Sequence, residues 1–465
     1  LTNKKGFALV KRNMSKKSQS QKSRKFKLVS KYDPAGDQGK VISEMVKSLE
    51  DKNREQTILG ATGTGKTYMM AKIVEKVQKP TIVIAHNKTL AAQLAEEFRR
   101  FFPDNAVHYF VSYYDYYQPE SYIPRNDTYI EKQTQINDEI DRLRNASTQA
   151  LLTRRDVLIV ASVSCIYGLG DPEDFNTLKM EISVGEVHNL SKIIRRLVDM
   201  QYTRTKLDLK RGSFRLRGDL LEIYPTSEDM VGYRFSFFGD EVEEISQFDI
   251  LTNQDIEKID TYTIFPASQY VTTQEKIQKA ISAIQEDLNK RIEFYEKQGQ
   301  PLYAQRIKER TLNDIEMLET MGFTSGIENY SIYFDGRQDG EPPATLLDYF
   351  PTDSLCFIDE SHITLPQIAA MYNGDRSRKE TLIEYGFRLP TALNNRPLRI
   401  NEFFEKTNQI IYVSATPGRF EKGQSSSIST SEITHRQEQI KNKSPEFDLT
   451  EVFSLQVLED FLKKV

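Results

Sequence analysis

Residues 57 to 86 constrain this chain more than any other stretch. Gly60, Ala61, Thr62, Gly63, Thr64, Gly65, Lys66 and Thr67 spell G-x-x-x-x-G-K-[ST], between a strand-like run, Thr57, Ile58 and Leu59, and a helix-period run at 68–77. Glycines let successive backbone N–H groups wrap an anion with no Cβ in the way. The helix start that follows adds partial positive charge at the same point. In this setting Lys66 is placed to reach the β- and γ-phosphates of ATP, and Thr67 to ligate Mg²⁺. A continuous apolar run at 81–85 and another at 156–162 suit strands buried on both faces. The expected fold class is therefore α/β, built on a parallel sheet.

A nucleotide site of this kind needs an acidic pair at the end of a second buried strand. Residues 355–360 supply it, with Asp359 expected to hold Mg²⁺ and Glu360 to orient and deprotonate the attacking water. An acidic pair after an apolar strand is common; paired with the glycine loop it becomes specific. Ser414, Ala415 and Thr416 follow another buried run and suit a segment that couples hydrolysis to motion. Upstream, Tyr32 is a candidate to stack on adenine, and Gln38 to pair with its N6 and N7 edge. An exposed polar turn is the rival reading there.

Twenty-three tyrosines and no tryptophan make the placement of tyrosines informative. Tyr113, Tyr114, Tyr116 and Tyr117 lie within five residues. On a hairpin alternate side chains face opposite ways, so some must be exposed. Two readings stay open: stacking on or wedging between bases, or a protein–protein patch. The net charge of −4 argues against a chain that merely coats nucleic acid, yet a local basic channel is compatible with it. Cys165 and Cys356 sit in apolar runs and read as core residues of a reduced, cytoplasmic protein. The longest apolar run is too short for a membrane span, so no membrane partner is expected.

These segments, together with 85–94, 163–170, 346–351, 359–362, 371–379 and 386–398, resemble the UvrB family of the bacterial excinuclease ABC system, which carries out nucleotide-excision repair. The resemblance runs in order from about residue 28 to 420. It implies a P-loop, RecA-like helicase motor domain with an antiparallel β-rich insertion and a helical insertion. Residues 28–174 form the motor domain's first segment, with a DNA-binding β-hairpin at 113–136. Residues 175–268 form the insertion that docks the excinuclease partner UvrA, 269–345 a mostly helical insertion near the hairpin, and 346–420 the second motor segment. Residues 1–27 are expected to be a disordered basic extension and 421–465 an atypical tail.

The same resemblance implies that Tyr113, Tyr114, Tyr116 and Tyr117 stack on damaged double-stranded DNA, with Glu120 and Arg144 in that site. It places Arg204 and Arg215 at the contact with UvrA. It implies an ATP-using damage verifier that UvrA loads and that recruits UvrC for incision. Only residues 417–465 follow the Ser-Ala-Thr segment, whereas the family continues into a second motor domain whose arginines complete the ATP site. Weak turnover is the expectation, and a catalytically inactive remnant is one alternative. The other is the related region of a transcription–repair coupling factor, which usually has a degenerate nucleotide site.

Overall fold

The computed structural model describes residues 24–61, 63–271, 274–425 and 427–431. At its centre lies a sheet of seven strands. In chain order they are β1 (Glu55–Gly60), β2 (Thr81–Ala85), β3 (Ala106–Phe110), β4 (Val157–Ser162), β5 (Leu355–Asp359), β6 (Gln409–Ser414) and β7 (Ser427–Ser431). Their spatial order is β7-β1-β6-β5-β2-β4-β3, and every neighbouring pair is parallel. Both insertions therefore interrupt one sheet, because β5 and β6 return to fill the gap between β1 and β2. The loops after β1, β5 and β6 consequently emerge at one edge, where ligands of open α/β sheets bind.

Alternation along each strand feeds two cores. Val83 and Ala85, Leu158 and Val160, and Ile411 and Val413 join the cluster packed under helices Gln38–Glu50, Lys66–Val77 and Lys88–Phe101. Ile82 and Ile84, Val157 and Ile159, and Ile410 and Tyr412 face the opposite cluster, which continues into the antiparallel insertion. Burial on both faces is what makes these strands read as unbroken apolar runs. Cys165 and Cys356 are buried and unbridged in the second cluster.

Two boundary expectations change. The extension expected to be disordered through residue 27 ends sooner, for Phe26 is buried edge-on against Phe102 and its N–H donates to Gln78 Oε1 at 2.8 Å. The expected tail begins within the fold, since residues 427–431 add β7 alongside β1. Residues 1–23 and 432–465 lie outside the described residues.

The antiparallel insertion is entered by strand Met180–Ser183 and left by Thr261–Ile264, which pair with each other. Between them runs a six-stranded sheet. Its Gly-Asp turns close two hairpins, Ser213–Arg217 with Leu220–Tyr224 and Val231–Phe238 with Glu241–Asp249. Gly218 (φ +60°) and Gly239 (φ +64°) take the left-handed conformation such tight turns demand. Helices Gln274–Lys297 and Pro301–Met321 then bury Ile277, Ile281, Ile284 and Leu288 in a third core. No described helix is long and apolar enough to cross a membrane.

Candidate nucleotide site and DNA hairpin

The phosphate loop is shaped by what its glycines permit. Gly63 (φ +82°) and Gly65 (φ +77°) are left-handed, a region side chains avoid. A Cβ on Gly60 would fall 2.8 Å from Thr64 Oγ1. Helix Lys66–Val77 starts at the lysine itself, so Lys66 and Thr67 occupy its first turn. Thr62 lies outside the described residues. Ala61 anchors the loop, its carbonyl accepting from Thr64 Oγ1 at 2.8 Å.

Lys66 Nζ reaches across to Glu360 Oε1 at 2.8 Å, bringing the two sequence-predicted halves together. Glu360 sits at φ +43°, an uncommon conformation for a residue with a side chain. Beside it, burial pushes the Asp359 carboxyl up to about 7; Glu360 adds repulsion and Lys66 opposes both. Gln38 is buried, its Nε2 donating to Thr64 O at 2.8 Å and its Oε1 accepting from Ala35 N at 3.0 Å. One amide donor and one acceptor site thus remain for a base. Tyr32 is 75% exposed, its ring free to stack. Sequence reasoning passed over His362, whose Nδ1 lies 2.8 Å from Ser414 Oγ and 3.6 Å from Glu360 Oε2. It joins the acidic pair to the Ser-Ala-Thr segment.

The tyrosine segment forms a two-step hairpin. Tyr114–Gln118 pairs with Gln133–Ile136, and Ser121–Ile123 with Thr128–Ile130. A register shift between Tyr114 and Tyr116 breaks the simple alternation. Tyr116 and Tyr117 are both about half exposed (50% and 49%). Tyr113 instead packs against the core, its hydroxyl 3.0 Å from that of Tyr114, and Tyr114 stacks on Tyr117 at 5.0 Å.

Glu120 and Arg144 do not face solvent, which corrects the expectation of direct DNA contacts from them. Arg144 is buried, its guanidinium 4.0 Å from the Phe110 ring and 5.0 Å from that of Tyr113, bonded to Val111 O at 2.9 Å. Glu120 is buried against Arg388 Nε at 2.8 Å and accepts from Tyr129 Oη at 2.6 Å. Further ties hold the hairpin: Lys132 to Glu328 at 2.8 Å, and Tyr129 stacked on Phe387 at 4.6 Å. Arg388 and Phe387 belong to the 386–398 run that carries the resemblance, and sequence alone gave neither of them a role.

Comparison with known proteins gives the context of these features. Family models match at residues 31–161 (type III restriction enzyme, res subunit), 180–270 (UvrB interaction domain) and 275–336 (UvrB third helical domain). The UvrABC system protein B of Caldicellulosiruptor saccharolyticus is 56% identical over 405 residues, 87% of this chain and 61% of the relative. Those of Enterococcus faecalis (54% over 406 residues) and Streptococcus pneumoniae (55% over 404) cover the same shares. Over the matched region the chain belongs to the UvrB family. It spans about 61% of the length of these relatives.

The UvrB interaction domain match contains Arg204 and Arg215, and the structure separates them. Arg204 is exposed on the short edge strand Thr203–Arg204. Arg215 is mostly buried, pairing through Nε with the buried Glu222 and donating to Leu207 O at 3.0 Å. Arg234 Nε holds the other Glu222 oxygen at 2.9 Å. Arg215 is thus committed inside the sheet, and the expectation that it offers a free charged contact is corrected. Arg215→Glu is expected to destabilise the chain by roughly 3–5 kcal/mol, since Arg234 remains but a second carboxylate is set beside the buried Glu222. Arg204→Glu should leave stability unchanged. Denaturant unfolding of both variants checks this, and equal stabilities would show that the buried pair contributes little.

Proposed function

We propose that this chain is an ATP-binding DNA damage-verification subunit of an excinuclease ABC repair complex. UvrA would load it through the 175–268 insertion, with Arg204 at the contact, and UvrC would join it for incision. Lys66, Thr67 and the loop N–H groups hold the phosphates, Asp359 and Thr67 hold Mg²⁺, and Tyr32 and Gln38 take the base. The residues fit that ligand: the cradle is open where glycines replace side chains, and a buried carboxylate stands at the metal position. Bound Mg²⁺ supplies charge neutralisation between the phosphates. Glu360 orients the water, and His362 relays its position to Ser414. All three of Lys66, Asp359 and Glu360 are present, which favours this reading over a coupling-factor region with a degenerate site.

The observation carrying the proposal is the short mechanical path from nucleotide to hairpin. β2 ends at Ala85, and His86 lies within electrostatic reach of Glu360. Two residues on, Lys88 Nζ donates to Tyr114 O at 2.7 Å, at the hairpin's root. A shift at the acidic pair therefore has a route to the tyrosines.

The exposed pair, Tyr116 and Tyr117, is the one placed to stack on DNA. Replacing both with alanine is expected to weaken retention on damaged duplex by about 1–3 kcal/mol for each lost stack. The check is filter or gel retention of lesion-bearing DNA with UvrA present. Unchanged retention with a steep salt dependence would mean that phosphates alone are held and would return the cluster to a packing role.

A further inference from the structure

The run from Met371 to Lys379 is among the segments that carry the family resemblance; the hairpin accounts for Arg378, which donates to Glu120 O, but neither it nor the nucleotide site accounts for Tyr372, Gly374 and Arg376. It lies on helix Ser361–Glu384. Arg399 Nη2 and Arg376 Nη1 both donate to the Tyr372 hydroxyl oxygen, at 2.8 Å and 3.0 Å. The Arg399 guanidinium also lies 4.7 Å from the centre of the Tyr372 ring. Although burial works the other way, these two arginines draw the phenol below the ordinary tyrosine range.

The carboxylates nearby are already engaged. Asp375 pairs with Arg378 and Lys379 at 2.8 Å each, Glu380 with Arg376 at 2.7 Å, and Glu402 with Arg396 at 2.7 Å. Residues 371–380 and 396–402 together hold five cations and three carboxylates. Among the described residues no ion pair to Arg399 is found, and Arg399 is exposed. Glu380 neutralises Arg376, but a phenol oxygen that accepts from Arg399 does not neutralise it, so at this corner Arg399 presents N–H donors to an incoming anion.

Gly374 lies within the same helical run. A Cβ there would meet nothing within 4 Å, so no packing demands glycine, and glycine inside a helix destabilises it by about 0.5–1 kcal/mol relative to alanine. Bare helix surface without a packing reason suits close approach of another backbone. The patch also leads back to the hairpin. Tyr167, 40% exposed, donates to Met371 Sδ at 3.3 Å, and Arg378 donates to Glu120 O at 2.7 Å. Aromatic faces interleaved with cations along one path are the pattern by which proteins track single strands.

We propose that Tyr372, Arg376, Arg399 and the open helix surface at Gly374 bind the phosphodiester backbone of a single DNA strand leaving the hairpin. This rests on the DNA-handling reading above and extends it to a surface beyond the hairpin. The test uses the full chain and a fluorescein-labelled 20-nucleotide oligothymidylate, titrated by anisotropy across a salt series. Arg399→Gln is expected to weaken binding about threefold to tenfold and to flatten the log K against log salt slope by ~0.7, the signature of one lost phosphate contact on a single strand. Gly374→Glu should weaken it further by placing a carboxylate in the clearing, while nucleotide binding and thermal unfolding stay at or above the parent's. The Tyr116→Ala, Tyr117→Ala chain serves as comparator. If that chain loses affinity while Arg399→Gln and Gly374→Glu keep the parental affinity and slope, the surface proposal is overturned and the hairpin reading stands. A parent chain that binds no oligonucleotide overturns both.

Discussion

Lys66→Ala is expected to lower the affinity for Mg-ATP by two orders of magnitude or more while leaving the fold intact. The lysine is the one side-chain cation in the described loop, and its ammonium stands at the point where β1's loop and the end of β5 converge. Charge-assisted hydrogen bonds to phosphate are about twice as strong as neutral ones, and about 1.4 kcal/mol is a factor of ten in affinity. Losing one or two such bonds in a half-buried site accounts for the expected drop. The fold should tolerate the change because Glu360, the partner left behind, keeps water access at 24% side-chain exposure. Titration calorimetry with a non-hydrolysable ATP analogue, alongside thermal unfolding, separates the two effects. Parental affinity in the variant would remove the glycine loop from the nucleotide assignment.

The features readable from sequence are those whose physics is local. The glycine loop needs no partner to be recognised, because positive φ at Gly63 and Gly65 follows from the loop's own job. The parallel strands were legible because both faces of each are buried, and the Gly-Asp turns because Gly218 and Gly239 must be left-handed. Distant pairings were not legible. Glu120 meets Arg388 across 268 residues of chain, so a residue expected at a DNA surface proved to be a buried anchor. Arg215 differed from Arg204 through Glu222 on the neighbouring strand and the Leu207 carbonyl, neither of them adjacent to it in sequence. Strict two-residue alternation also failed at the hairpin, where a register shift after Tyr114 leaves Tyr116 and Tyr117 both exposed. The helical segment 371–379 resembled the family without revealing that Tyr372 and Arg399 meet.

Removing the Arg388 side chain is expected to give the largest structural effect of any single change near the hairpin. Its guanidinium is 5% exposed and lies 2.8 Å from Glu120 and 3.6 Å from Asp314, which are themselves 8% and 3% exposed. These partners hold Arg388 firmly in its charged form despite the burial that opposes it. One cation therefore ties the hairpin to the helical insertion, since Asp314 belongs to helix Pro301–Met321 and also accepts from Tyr330 Oη at 2.8 Å. Arg388→Met would leave the buried Glu120 without its cation and Asp314 with only Arg310, at 3.6 Å, and breaking a buried pair from one side costs roughly 3–5 kcal/mol. The hairpin should loosen as well as the core, so trypsin should cut faster at exposed Arg125 on its tip. Adding Glu120→Gln removes the stranded charge, and a double-mutant cycle should show that part of the loss is recovered. That recovery distinguishes an electrostatic anchor from simple loss of packing, which would make the two changes additive. Additive losses, with trypsin cleavage at the parental rate, would mean that the Tyr129–Phe387 stack and the Lys132–Glu328 pair hold the hairpin without Arg388.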